Sequence, residues 1–340
     1  MRATPIPAAA RSRWATGVWQ LLVLGVLLCG LSGCNVITFN RQLTLRSYAR
    51  LQIRPQEREL SSGHLRYYAG GQGFPVLLIH GFGFTALENW ENQVGALIGP
   101  YRVLAPDLYW FGGSTPRPGA KVETAAEQAD ALSELLERLG VGKTHVVGVS
   151  FGGYVALELA LRHPDKLGKL VLVDAAGLEL TTAEADQVSA VFGGERDISA
   201  VLLPRDVIAL RKFLGTVFYQ PRWIPTFALR QVLREFWLNE RARRAILRGL
   251  QSGGLLQPAV VQGVGAETLV LWGRHDPLIP PSVGERLTRL IPGARIRYLE
   301  RSAHSPMLEE PAEFNRALLD FLYAPPRARP APPPARAPRS

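Results

Sequence analysis

The chain has 340 residues, 47% apolar and 20% charged, with two cysteines. That balance suits a sizeable buried core and excludes both pervasive disorder and a disulfide scaffold. The net charge of +10 resolves into two acid-free ends, with Arg2, Arg11 and Arg13 before residue 34 and Arg327, Arg329, Arg336 and Arg339 after residue 324. The rest is ordinarily balanced, so nucleic acid is rejected as a partner.

Residues 1–20 are basic and irregular, and Leu21–Leu28 is a run of eight with no polar side chain. It is shorter than the roughly 20 residues that span a bilayer. A basic flank, a short apolar run and small residues after it describe an export signal. Leu31-Ser32-Gly33-Cys34 resembles the lipobox of bacterial lipoproteins. That resemblance implies a signal peptide over 1–33, a lipidated Cys34 as first mature residue, and a cell-envelope protein held to a membrane by its lipid. Cys29 fits poorly, because Leu28 precedes it. The alternative is an uncleaved anchor helix from about Val18 to Leu31. Asn35 follows Cys34 in place of the aspartate that retains some lipoproteins at the inner membrane, which leans to the outer membrane.

Residues 34–60 read as a lipidated juxtamembrane segment. Arg41, Arg46, Arg50 and Arg54 recur at near-helical spacing beside Leu43, Tyr48 and Leu51. This predicts a helix, either lying on an anionic leaflet or packed on the domain. From 61 to 324 short apolar runs alternate with helical stretches. The predicted strands are Val76–Ile79, Val103–Ala105, Thr144–Val149, Leu170–Val173, Thr268–Trp272 and Ile296–Leu299; Glu123–Leu139 and Tyr154–Arg162 are predicted helices. The pattern predicts an α/β fold, mostly a parallel sheet with helices on both faces. From about 179 to 265 no strand is evident, and this stretch is a candidate helical cap. Its aromatics include Phe213, Phe218, Trp223, Phe227 and Trp237, which either pack the cap or line a substrate pocket. Residues 325–340 are a Pro/Ala/Arg tail expected to be disordered.

One segment concentrates chemistry. Thr144–Gly153 reads THVVGVSFGG, a strand running into Gly-x-Ser-x-Gly and then a helix. This is the pattern of a nucleophile elbow, with Ser150 at its tip. A serine needs a base, and His304 follows the last predicted strand. The acid should follow a strand between them. Asp276, just past Thr268–Trp272, is the first choice, and Asp174, after Leu170–Val173, is its rival. Asp107 precedes the elbow and reads as structural. Backbone N–H groups of Phe151 and of Phe82, in His80-Gly81-Phe82-Gly83, are the candidate oxyanion donors, and His80 is expected to orient that loop. No metal or dinucleotide motif is present, so no cofactor is expected.

These pieces resemble the α/β-hydrolase superfamily over about Leu65 to Tyr323: HGFG at 80–83, APDLYWFGGS at 105–114, GVSFGG at 148–153, WGRHDPLIP at 272–280 and AHSPMLEEPAEF at 303–314. Two departures are Tyr109-Trp110 and Ala303, where the family often has Pro-Gly and Gly. Among its members the chain looks most like cap-bearing, membrane-associated lipases and esterases, including monoacylglycerol lipases. The resemblance implies a serine hydrolase cleaving carboxylic esters, with a small-molecule ester or lipid as substrate. The competing expectations are a carbon–carbon bond hydrolase of the ring-cleavage type and a non-catalytic surface lipoprotein. Oligomeric state is not legible.

Overall fold

The computed structural model describes residues 35–325, apart from 196–201, 238, 240, 241, 243, 246, 247, 250 and 251. The export signal, Cys34 and nearly all of the Pro/Ala/Arg tail therefore lie outside the described residues. No helix among the described residues is long and apolar enough to cross a membrane.

Among the described residues nine strands form one sheet: β1 (Arg54–Leu60), β2 (Gly63–Gly70), β3 (Phe74–Ile79), β4 (Tyr101–Pro106), β5 (Thr115–Pro116), β6 (Thr144–Val149), β7 (Leu167–Val173), β8 (Glu267–Gly273) and β9 (Arg295–Leu299). Their order is β1-β2-β4-β3-β6-β7-β8-β9, with β5 on β2. Pairing is parallel from β4 to β9 and antiparallel at β1, β2 and β5. The named helices are α1 (Val36–Arg50), α2 (Ala86–Asn89), α3 (Ala125–Arg138), α4 (Phe151–Arg162), α5 (Thr182–Val191), α6 (Val207–Val217), α7 (Thr226–Val232), α8 (Pro281–Leu290) and α9 (Pro311–Tyr323). The middle strands are apolar because both sheet faces are covered. Val146, Leu170, Leu172 and Val270 face one core with α3, α4 and α8; Val147, Val149, Val171 and Leu271 face the other, with α9.

The structure bears on three expectations, changing the first and the third. Arg54–Leu60 reads RPQEREL, has no apolar run, and is exposed except at Leu60. It is nevertheless a full edge strand, paired with β2 from Arg54↔Ala69 to Leu60↔Gly63. The predicted helix thus stops at Arg50, Arg54 leaves its series, and the boundary expected at 61 falls inside a hairpin. Secondly, α1 packs against α2 and α7, with Tyr48 buried against Tyr68 at 5.8 Å. Thirdly, the cap closes earlier than 265. Leu178 bridges Leu256, and Val261 and Val264 already belong to the main core. The cap has its own core, built on Leu210, Phe213, Leu214, Leu229 and Trp237.

Candidate active site

The site is assembled where the parallel strands end. Ser150 sits between β6 and α4 with φ 53° and ψ −120°. A non-glycine residue held there stores on the order of 1–3 kcal/mol of strain. The surroundings over-determine it. Its N–H donates to the Val173 carbonyl at 2.9 Å, and its carbonyl accepts from Gly153, Tyr154 and Ala176 at 2.9, 3.1 and 3.0 Å. The flanking glycines permit the close approach. A Cβ on Gly148 would lie 2.2 Å from the Gly152 carbonyl oxygen, and one on Gly152 would lie 2.4 Å from those of Ile79 and His80.

His304 Nε2 lies 2.9 Å from Ser150 Oγ, and His304 Nδ1 lies 2.7 Å from Asp276 Oδ2. The other Asp276 oxygen accepts from the Leu278 and Ile279 N–H groups at 2.8 and 3.0 Å. A carboxylate at Nδ1 keeps the proton there, so Nε2 is free to take one from the serine. Both Asp276 and His304 are buried, which removes water competing for these bonds. Glu309 holds the histidine loop, accepting from the Ala303 and Ser305 N–H groups on either side of His304. Burial raises the Glu309 pKa, opposed by its backbone donors.

Asp174 is brought to the same place but does not reach a histidine. Its Oδ1 accepts from the Gly273 N–H at 2.8 Å, and its Oδ2 is buried without a conventional partner. Burial, and then the charge of Asp276, raise its pKa well above the ordinary carboxylate value. Both influences favour the protonated form of Asp174. Asp107 is wholly buried and ties Arg66, Ala86 and Gly113 together.

The loop after β3 passes beside the serine: a Cβ on Gly81 would be 3.3 Å from Ser150 Cβ. His80 is wholly buried, and its Nε2 accepts from the Leu108 N–H at 2.9 Å, so Nδ1–H donates to the Gly81 carbonyl at 2.7 Å. Burial lowers its pKa, consistent with a neutral ring spent on loop geometry. Phe82 follows directly. Phe151 is the first residue of α4, whose leading amides have no partner within the helix. The two candidate donors thus come from segments that meet at Ser150.

The cap residues divide. Trp237 lines a cavity of about 170 Å³ together with Arg41, Arg66, Phe82, Trp110 and Glu235. Phe213 packs on Trp237 at 5.9 Å, and Phe218 lies against the same cap core. Phe227 is half-buried. Trp223 is 78% exposed and lines neither this cavity nor the aromatic recess of Phe82, Tyr109, Trp110, Phe111 and Phe151 beside it. As a pocket residue it is therefore corrected: it lies in the linker before α7 and faces outward. The sequence offers no site reading for Arg66, Glu88 and Glu235, and reads Arg41 only as a member of the arginine series of α1. Arg66 pairs with Asp107 at 2.6 Å, and Arg41 pairs with Glu88 at 2.8 Å and with Glu235. Their long separation along the chain leaves no local signal.

Residues 76–317 match the profile described as "Alpha/beta hydrolase family". Over 78% of this chain and 93% of its own length, a 2-hydroxymuconate semialdehyde hydrolase of Pseudomonas sp. (strain CF600) is 30% identical. Lipase 3 of Moraxella sp. (strain TA144) is 28% identical over 86% of this chain and 92% of its own. Among solved structures, a bacterial membrane phospholipase A superposes with a TM-score of 0.72 at 25% identity, covering 89% of this chain and 98% of that one. The meta-cleavage product hydrolase of Pseudomonas fluorescens IP01 gives 0.68 at 25%, covering 80% and 98%. The chain belongs to the α/β-hydrolase family.

Proposed function

We propose, from that membership, that this protein is a serine hydrolase of carboxylic esters whose substrates are lipid-like, of the acylglycerol kind. Ser150 Oγ attacks the ester carbonyl while His304 Nε2 takes its proton. Asp276 holds the imidazole tautomer and stabilises the imidazolium. The N–H groups of Phe82 and Phe151 receive the oxyanion. His304 returns the proton to the departing alcohol, leaving an acyl-enzyme on Ser150. Water then repeats the sequence, with His304 as base, and releases the acid.

The observation that supports hydrolysis is the unbroken chain Ser150–His304–Asp276 at 2.9 and 2.7 Å. Two features favour a neutral ester over the anionic dienoates that name several relatives. The arginines of the adjoining cavity are already neutralised by carboxylates. Lipase 3 and the membrane phospholipase A also match over more of the chain, 86% and 89%, than the 2-hydroxymuconate semialdehyde hydrolase and the meta-cleavage product hydrolase, at 78% and 80%. The second reading, a carbon–carbon bond hydrolase, rests on the 30% identity to the 2-hydroxymuconate semialdehyde hydrolase. A purified-enzyme comparison of monoacylglycerol and p-nitrophenyl esters with a ring-cleavage dienoate separates the two. Turnover of the dienoate alone overturns the ester reading.

The same proposal places the protein in a bacterial cell envelope, held by lipid on Cys34. Mass spectrometry of the mature N-terminal peptide should find a diacylated Cys34; an unmodified cysteine or another start overturns this part. Asn35 has a structural use that competes with its reading as a sorting signal: its side chain caps α1, accepting from Ile37 and Thr38 N–H at 3.0 and 3.2 Å.

A further inference from the structure

The two sides of α1 differ in kind. Its inner side is occupied. Val36 N–H donates to Gln231 of α7 at 2.8 Å, Arg41 joins Glu88 after the site loop to Glu235 of the cap, and Tyr48 is buried. Its outer side is a continuous exposed stripe at helical spacing: Phe39, Leu43, Arg46 and Arg50. Phe39 is 45% and Leu43 38% exposed, one turn apart and in the half nearest residue 34. The arginines follow in the other half, and the helix carries no acidic residue. An exposed apolar pair beside arginines, on a helix with no acidic residue, is complementary to a surface that is apolar and anionic at once.

We propose that this face of α1 docks on an anionic phospholipid bilayer, Phe39 and Leu43 entering the interface and Arg46 and Arg50 meeting lipid phosphates. This rests on the lipid-ester reading for its purpose, and three features commit it to a bilayer. In sequence, the Leu21–Leu28 run and Cys34 precede the half of α1 that carries Phe39 and Leu43. The charge is complementary to an anionic leaflet. The cap helix α7, packed on α1, is preceded by Trp223, and its neighbour α6 carries Ile208, which is 83% exposed, so the elements beside α1 also present large apolar side chains outward. Docking there would set the Arg41 bridge, and with it the site loop and cap, directly above the lipid.

The test uses the full chain reconstituted in phosphatidylcholine vesicles with or without phosphatidylglycerol. Phe39→Trp should add a fluorescence component quenched by lipids brominated on their acyl chains, and Arg46→Gln/Arg50→Gln should weaken that quenching in the anionic vesicles only. Phe39→Ser/Leu43→Ser should lower hydrolysis of vesicle-resident esters roughly tenfold while p-nitrophenyl butyrate turnover in solution is unchanged. If the component added by Phe39→Trp is not quenched, the proposal is overturned. Conversion of a detergent-stable dimer to monomer by Phe39→Ser/Leu43→Ser overturns it as well, and would assign the face to a second copy. Failure of the ester reading is seen separately, as absent butyrate turnover in the wild type with quenching intact.

Discussion

At the scale of single residues, the two aspartates are the sharpest contrast. Both Asp174 and Asp276 are buried at neighbouring strand ends, but only Asp276 touches His304. Sequence reasoning could name both and rank them, because each follows an apolar strand. It had no access to the side-chain direction that decides between them. Asp276→Asn should lower kcat on the order of 10³–10⁴-fold by removing the charge that holds the imidazole tautomer. Asp174→Asn should retain most activity, since an amide keeps the acceptor for Gly273 and stays neutral. Its stability effect has a definite sign. A folded-state pKa raised above the unfolded value contributes stability in full only below the ordinary carboxylate range. As pH rises toward the folded pKa, that contribution is lost. The melting-temperature difference, Asp174→Asn minus wild type, should therefore be more positive at pH 8 than at pH 4. A difference independent of pH would show that Asp174 is ionised in the fold. Ser150→Ala should abolish ester turnover, by several orders of magnitude, with an unchanged melting temperature or a slightly higher one.

Among the elements, the parallel strands were legible because burial on both faces writes them as uninterrupted apolar runs. The edge strand β1 was not, because its stabilisation comes from backbone pairing with β2 rather than from side chains. The elbow was legible for a third reason: its glycines are dictated by contact distance. Gly152→Ala should destabilise the protein by about 1–3 kcal/mol, since the new carbon would meet two carbonyl oxygens. Gly142→Ala, where a Cβ meets nothing within 4 Å, is the control expected to change little. Thermal unfolding of the pair decides it, and equal shifts would count against the close-approach account. The Arg41 bridge was invisible in sequence for the opposite reason, since its three members stand far apart in the chain and meet only through packing. Arg41→Ala should leave Glu88 and Glu235 without their cation and loosen α1 from the cap. Hydrogen exchange in α7 should then rise several-fold while exchange in β6 and β7 stays fixed.

For the whole molecule the question is what the cap adds to a shared catalytic platform. Relatives matching most of this chain are named as a lipase and as a 2-hydroxymuconate semialdehyde hydrolase, so platform geometry alone does not select a substrate. Selection must come from what the cap lays over Ser150, and here the cap reaches the site directly: the Val217 carbonyl at the end of α6 accepts the His304 N–H at 3.0 Å. Phe218, the next residue, is half-buried against the cap core and stands at that contact. An acyl chain leaving the carbonyl under the cap would gain about 0.8 kcal/mol per buried methylene, or roughly fourfold in kcat/KM for each carbon accommodated. In a p-nitrophenyl ester series, kcat/KM should therefore climb with chain length to at least about eight carbons before levelling. Phe218→Ala should flatten the climb while sparing the acetate ester. A wild-type enzyme that prefers acetate, with no gain from longer chains, would remove the lipid-ester assignment. The same cap aromatics would then be read as packing alone, and the platform as serving a small ester or a ring-cleavage product.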